Sequence, residues 1–237
     1  MLKSILLLLI SGSLAPIFAA SCTTGTIQTY ASEFGNSLTN CSSPDGILLY
    51  NNFSDSGIPG SATLTLSPNS SDGFDFTFDQ VGTSTPYQAT SNTTFTIIYE
   101  FTIDPAPILG GSTLRIDPPT GDDSISQSFC VDSNPTDGFA ACLQNANVIS
   151  TQTVTVVSDN DQDASASITL NPQAQSFGWV ETTFSLGPNA NGEPGSFDSV
   201  SALPDVIITS QPEPMSLGLL GCGLLALAGA KLKKRSR

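Results

Sequence analysis

Phe74-Asp75-Phe76-Thr77-Phe78-Asp79 puts three phenylalanines on one side of an extended chain and three polar residues on the other. Successive side chains of a strand point to opposite faces, so this alternation describes a strand with one face buried and one wetted. The same period recurs downstream. Phe95, Ile97, Tyr99, Phe101 and Ile103 alternate with a face made mostly of Thr94, Thr96, Glu100, Thr102 and Asp104. Ala164, Ala166, Ile168 and Leu170 alternate with Ser165, Ser167 and Thr169. Less regular strands are predicted over 47–53, 62–66, 113–116, 126–131, 151–157, 179–186 and 206–209. Turn-forming strings separate them, among them Pro44-Asp45-Gly46, Ser71-Asp72-Gly73 and the Gly/Pro/Asn-rich stretch 187–195. Between the termini, one helical turn is predicted, over 136–146. Many short strands without ordinary helices predict an all-β fold over 21–208, a two-sheet antiparallel sandwich of jelly-roll type.

Composition supports a packed core in that stretch. Hydrophobic residues make up 39% of the 237, with 13 Phe, while only 12% are charged. Serine, threonine and asparagine therefore carry most of the polarity. The charge is segregated. All 21 acidic residues fall between Glu33 and Glu213, and Arg115 is the one cation among them, leaving that stretch at 21 − 1, or 20 negative charges. Phosphate binding needs Lys and Arg, so nucleic acid is excluded as a partner. Divalent cations and neutral glycans are not.

The first residues predict export. Met1-Leu2-Lys3 is a short positive region, an apolar run follows with Ile5-Leu6-Leu7-Leu8-Leu9-Ile10 at its centre, and Ala19-Ala20-Ser21 offers small residues for cleavage. Residues 1–20 thus read as a signal peptide for the secretion translocon and signal peptidase, cut after Ala20 or Ser21. In the oxidising compartment beyond, Cys22, Cys41, Cys130 and Cys142 allow three connectivities. The sequence-local pairs Cys22–Cys41 and Cys130–Cys142 are expected because they close the shortest loops, each contributing about 3 kcal/mol on chain-entropy grounds.

Chemistry is constrained by what is missing. With no histidine in the chain, Ser-His-Asp and Cys-His sites are ruled out. No lysine lies between Lys3 and Lys231, which removes Ser-Lys and Schiff-base chemistry from the body. Two carboxylates could still cleave a glycosidic bond, and Glu100 and Glu181 are the glutamates on predicted strands; the simpler reading is two solvent-facing strand residues. Asp159, Asp161 and Asp163, at alternate positions of one acidic loop, are the best Ca²⁺ candidates, although Ala164 and Leu170 stand where an EF-hand has glycine and glutamate. Asp122-Asp123 is a weaker cation candidate. Trp179 with Tyr30, Tyr50 and Tyr87 would suit a sugar-stacking platform if exposed together. The expectation is a non-enzymatic body, with carbohydrate binding or, less simply, glycan cleavage as alternatives.

The last residues carry a different message. Pro212-Glu213-Pro214 blocks helix continuation. Residues 215–230 hold no charge and are rich in Leu, Gly and Ala, with Cys222 among them. Lys231, Lys233, Lys234, Arg235 and Arg237 close the chain. An apolar helix of about 16–18 residues reaches about 24–27 Å, short for a bilayer core of about 30 Å but completed by snorkelling lysines. The cations would stop the chain on the cytoplasmic side. This three-part tail, 212–237, resembles the PEP-CTERM sorting signal of Gram-negative bacteria. The resemblance implies an exosortase partner that cleaves near the triplet and passes the protein to the cell envelope or exterior, where exopolysaccharide is a further possible partner. A sortase signal fits less well, since Leu203-Pro204-Asp205-Val206 lacks the Thr-Gly pair, and a GPI signal normally ends in its apolar stretch.

Overall fold

The computed structural model describes residues 19–36, 38–103, 108–130, 138–145, 149–156, 164–169 and 177–207. The leader 1–18, the aspartates Asp159, Asp161 and Asp163, and the tail 212–237 lie outside these residues. Among the described residues no helix is long and apolar enough to cross a membrane.

The elements run β1 (Ala20–Ser21), β2 (Gly25–Thr26), α1 (Ile27–Phe34), β3 (Cys41–Ser42), β4 (Leu48–Ser56), β5 (Ala62–Pro68), β6 (Phe74–Gln80), β7 (Thr93–Ile103), β8 (Ile108–Thr120), β9 (Asp123–Cys130), α2 (Gly138–Asn145), β10 (Ile149–Val156), β11 (Ala164–Thr169), β12 (Phe177–Leu186) and β13 (Ser196–Ile207). They form a seven-stranded sheet, β1-β3-β4-β7-β12-β9-β10, and a six-stranded sheet, β11-β8-β13-β6-β5-β2. All pairings are antiparallel except β1 with β3. The expected β-sandwich is present.

The period-two residues build its core. Phe74, Phe76 and Phe78 are each at most 1% exposed, and Phe95, Ile97 and Phe184 are as deeply buried. Register stacks them. Phe184 of β12 lies opposite Phe95 of β7, their rings parallel within 8° at 4.7 Å. Phe78 of the other sheet stacks on Phe95 at 4.4 Å, and Phe197 of β13 stacks on Phe184 at 5.7 Å. Aromatic contacts of this kind add about 0.5–1.5 kcal/mol each beyond area burial. Opposite Phe101, residue 178 has to be glycine, since a Cβ there would sit 2.8 Å from the Phe101 ring.

Both expected disulfides, Cys22–Cys41 and Cys130–Cys142, are formed. The expected leader cleavage, after Ala20 or Ser21, passes through β1 and leaves Cys22 joined to β3 at Cys41.

Three sequence expectations need correction. A helix, α1, forms where none was predicted. Its N-cap is Thr26, whose Oγ1 accepts from the Thr29 amide at 3.2 Å. Only Ile27 and Tyr30 of it are buried, too sparse an apolar stripe to reveal a helix by periodicity. Strand β13 begins at Ser196, ten residues before the predicted 206–209, because its apolar residues are spaced by Ser, Asp and Pro. Tyr30, Tyr50, Tyr87 and Trp179 form no common platform. Tyr30 and Tyr50 are core residues, 2% and 3% exposed, Tyr87 packs on Phe78 at 4.9 Å, and Trp179 stands on the other side of its sheet. The predicted turn over 136–146 is helical as α2.

Removing the Phe184 ring deletes contacts to both sheets. Phe184→Ala should destabilise the body by about 3–5 kcal/mol, whereas Thr94→Ala, on the exposed side of β7, should cost no more than about 0.5 kcal/mol. Urea unfolding monitored by circular dichroism measures both; equal midpoints for the two variants would contradict this core.

Candidate functional site

The outer face of the seven-stranded sheet is mostly hydroxyls. Thr94 lies across from Ser185, and Thr96 across from Thr183, with Oγ–Oγ distances of 3.3 Å in both pairs. One row of this face is different. Asn51 of β4 pairs with Glu100 of β7, Glu100 pairs with Trp179 of β12, and Trp179 pairs with Cys130 of β9. Period two therefore puts all of these side chains on one face, away from the aromatic core.

That row is buried although it lies outside the main core. Asn51 is 8% exposed, Glu100 3% and Trp179 7%. Trp179 belongs to a second apolar cluster with Cys130, Cys142 and Phe139, against which Ile98 packs. The Cys130–Cys142 disulfide holds α2 down on this cluster.

The partners of Glu100 among the described residues are amides. Asn52 Nδ2 donates to Glu100 Oε2 at 2.5 Å, and the Asn51 side chain hydrogen-bonds the same carboxylate. Burial nevertheless raises the carboxyl's pKa above its ordinary value, against the pull of those two amides. Asn52 reaches this position through a β-bulge, where the β4–β7 register shifts between Asn51 and Ser54 and Asn52 takes φ 52°. Among the described residues, two polar atoms of the row have no hydrogen-bond partner: the acceptor Asn51 Oδ1 and the donor Trp179 Nε1. Buried polar groups are nearly always paired, so both atoms call for a partner.

Glu181 shares this face. It lies opposite Ile98, hence diagonal to Glu100, at a spacing of about 7–8 Å between such neighbours. It is half-buried, and burial raises its carboxyl as well. The simpler sequence reading, two solvent-facing glutamates, is thus overturned for Glu100. The two carboxylates are brought together, but they rise side by side from neighbouring strands of one sheet.

Asp122 and Asp123 do not act together. Asp122 is exposed, while Asp123 is 1% exposed and packed at one end of the sandwich. There Asp123 Oδ1 accepts from the Gly187 amide at 3.1 Å, and Oδ2 has no partner among the described residues. A Cβ on Gly195 would come within 2.4 Å of Oδ1, so glycine is what lets the chain close over the carboxylate. Burial is the largest influence on Asp123 and Asp122 adds repulsion; with the Gly187 and Ser196 amides opposing, its pKa is pushed up to about 7. Among the described residues no three His, Cys, Asp or Glu side chains are grouped to hold a metal.

Sequence reasoning singled out Glu100, Glu181 and Trp179 but missed Asn51 and Asn52. The signal was present: inward Tyr50 and Phe53 are three apart, a spacing that a regular strand cannot give and a bulge can.

No protein-family model matches the chain, and no curated protein matches it. Among solved structures, TmCBM61 in complex with β-1,4-galactotriose aligns with TM-score 0.36 and 10% identity over 65% of this chain and 88% of that one. The enzymatically active domain of tailspike protein 4 from bacteriophage CBA120 aligns with TM-score 0.31 and 11% identity over 67% of this chain and 19% of that one. Likenesses this distant do not bear on what this chain binds.

Asp123 makes stability depend on pH with a definite sign. Its folded pKa of about 7 lies above its ordinary value of 3.8, so the native state holds the proton more tightly and stability rises as pH falls through that interval. Glu100 and Glu181, also raised, act in the same direction. Melting temperature should therefore increase from about pH 8 to about pH 5, and Asp123→Asn should reduce that increase without lowering stability at the alkaline end. A variant with the wild-type pH slope would show that Asp123 is not its source.

Proposed function

We propose that the chain is an exported envelope protein whose C-terminal signal is read by an exosortase, with a non-catalytic sandwich as its cargo. The observation that carries this reading is the register of the tail: Pro212-Glu213-Pro214, then an uncharged run over 215–230, then five cations in the last seven residues. Each part has its own physical task. By sequence the prolines oppose continuation of a helix from upstream, an uncharged run of this kind favours lipid, and the cations would resist crossing. On this reading the body is anchored in the membrane through its tail until processing releases it to the surface or exterior. The leader and the two disulfides fit a body that folds after export.

Strands β6–β13 divide into the order β6-β13-β8-β11 in one sheet and β7-β12-β9-β10 in the other, consecutive strands changing sheet except at β9–β10. We read this as the two interleaved Greek keys of a jelly roll, with β4 and β5 as added flanking strands. A second reading for the body, binding to matrix exopolysaccharide, is favoured by the buried carboxylate and amides of the Asn51–Glu100–Trp179 row. Cleavage would need Glu100 and Glu181 to flank a scissile bond, and their diagonal backbone spacing of about 7–8 Å is compatible with an inverting pair.

Intact mass of the mature protein, from cells with and without an exosortase, tests the sorting claim. The account expects a chain lacking the residues beyond the triplet in the first case and a chain ending at Arg237 in the second. Equal masses retaining Arg237 in both would reject it.

A further inference from the structure

We propose that the turns 43–47 and 69–73 form an acid-closed clasp between the two sheets, in which Asp45 and Asp72 hold one proton between their carboxyl groups and loss of that proton parts the turns. The first turn joins β3 to β4 in the seven-stranded sheet, and the second joins β5 to β6 in the six-stranded sheet. The clasp belongs to the body and stands whether or not the tail is processed.

Each turn is tied by its own bonds. In the first, the Gly46 amide donates to the Ser43 carbonyl at 2.9 Å, and the Leu48 amide donates to Ser43 Oγ at 3.0 Å. In the second, Asn69 Oδ1 accepts from the Ser71 and Gly73 amides at 3.1 and 3.0 Å, and the Tyr50 hydroxyl donates to the Asp72 carbonyl. Gly73 is pressed against β13, since a Cβ there would lie 1.9 Å from the Ala202 carbonyl oxygen. The second turn is therefore the fixed one. Between the turns, the Asp45 amide donates to Asp72 Oδ1 at 3.4 Å, and the two carboxyl groups hydrogen-bond each other. An ionised carboxylate can only accept, so one of the two must be protonated for that bond to form.

The proton has a preferred seat. Asp45 Oδ1 accepts from Ser43 Oγ and from the Ile47 amide, each at 2.8 Å, and both bonds favour the ionised form. Burial is the largest influence on Asp45 and would raise its pKa, but these bonds and the one from Asp72 outweigh it and leave the pKa lowered. Asp72 is raised, by burial first and then by the bond and charge of Asp45. Asp72 thus carries the proton and Asp45 the charge. Other ionisable groups on the neighbouring strands are differently engaged. Asp75 accepts from Asn69 Nδ2 at 3.2 Å, and Asp205 is exposed beyond Pro204. Arg115 stands across β13 from Asp75, two strand spacings or about 9–10 Å away. Asp55 and Asp79 lie toward the far ends of β4 and β6. Asp72 stabilises the fold below the ordinary 3.8 and ceases to as pH rises through its folded value; Asp45 stabilises it above 3.8 and ceases to as pH falls through its own. Their joint contribution is greatest between the two folded values, where the pair holds a single proton.

The mature protein, isotope-labelled at aspartate, is followed by NMR from about pH 4 to about pH 8, with and without EDTA. The Asp72 carboxyl should titrate above the ordinary 3.8, and Asp45→Asn should bring it back toward that value. The cross-peak between the Asp45 amide and the Asp72 side chain should be present on the acid side and lost on the alkaline side. In Asp72→Asn the side-chain amide donates to Asp45 without ionising, and asparagine suits the left-handed backbone at φ 64°, so the cross-peak should persist at the alkaline end. An Asp72 titration indifferent to Asp45→Asn would overturn the shared proton. A wild-type cross-peak equal at both ends of the range would overturn the opening. A cross-peak kept at the alkaline end until EDTA removes it would overturn the proton in favour of a divalent cation.

Discussion

Everything in this molecule depends on the stacked phenylalanines that join the two sheets. Phe78 and Phe197 come from one sheet, Phe95 and Phe184 from the other, and their rings form one continuous stack through the middle of the sandwich. Burying each ring contributes about 1.5–3 kcal/mol. A second aromatic group around Tyr50, Phe53, Phe74 and Tyr99 and the buried aliphatic residues extend this core. Arg115 is the body's one cation, so ion pairs cannot be a general device, and the surface is solvated by neutral hydroxyls. Two disulfides tie down the regions that the stack does not reach: Cys22–Cys41 near the N-terminus and Cys130–Cys142 beneath α2.

The same two-sidedness explains why the candidate site stands out. A strand that buries one face leaves the other wet, and at the end of β7 and β12 that holds Thr94, Thr96, Thr183 and Ser185 the wet face is threonine and serine. At Glu100 and Trp179 both faces are covered. A carboxylate taken out of water without a cation needs dipoles, and the bulge in β4 delivers two amides to it. The sheet therefore bends its own register to serve a residue that the hydrophobic core does not require.

The sandwich was legible because its signal is periodic. Phe74, Phe76 and Phe78, or Phe95 to Ile103, announce strand, face and core at once, and the short cysteine spacings announced both disulfides. Helix α1 was not legible because two apolar residues make no stripe, and β13 was not because its buried residues are interrupted by Asp198 and Pro204. The site was half legible. Glu100 and Trp179 are conspicuous residue types, but their adjacency is set by the register between strands some eighty residues apart, which no local pattern encodes. Burial of Tyr30 and Tyr50 was equally hidden. Their hydroxyls reach the backbone oxygens of Thr23 and Asp72, which lets a polar tip lie inside an apolar cluster.

The aromatic stack between β6, β7, β12 and β13 is the last part of the body to come apart. Native-state hydrogen exchange on the mature protein tests it directly, because the slowest amides mark the most stable unit. The amides of β7 and β12 around Phe95 and Phe184 should exchange only by global unfolding, and those of β2 and α1 sooner, through local opening. Fast exchange at Phe95 and Phe184, with the slowest amides in α1 or the short N-terminal strands, would contradict it.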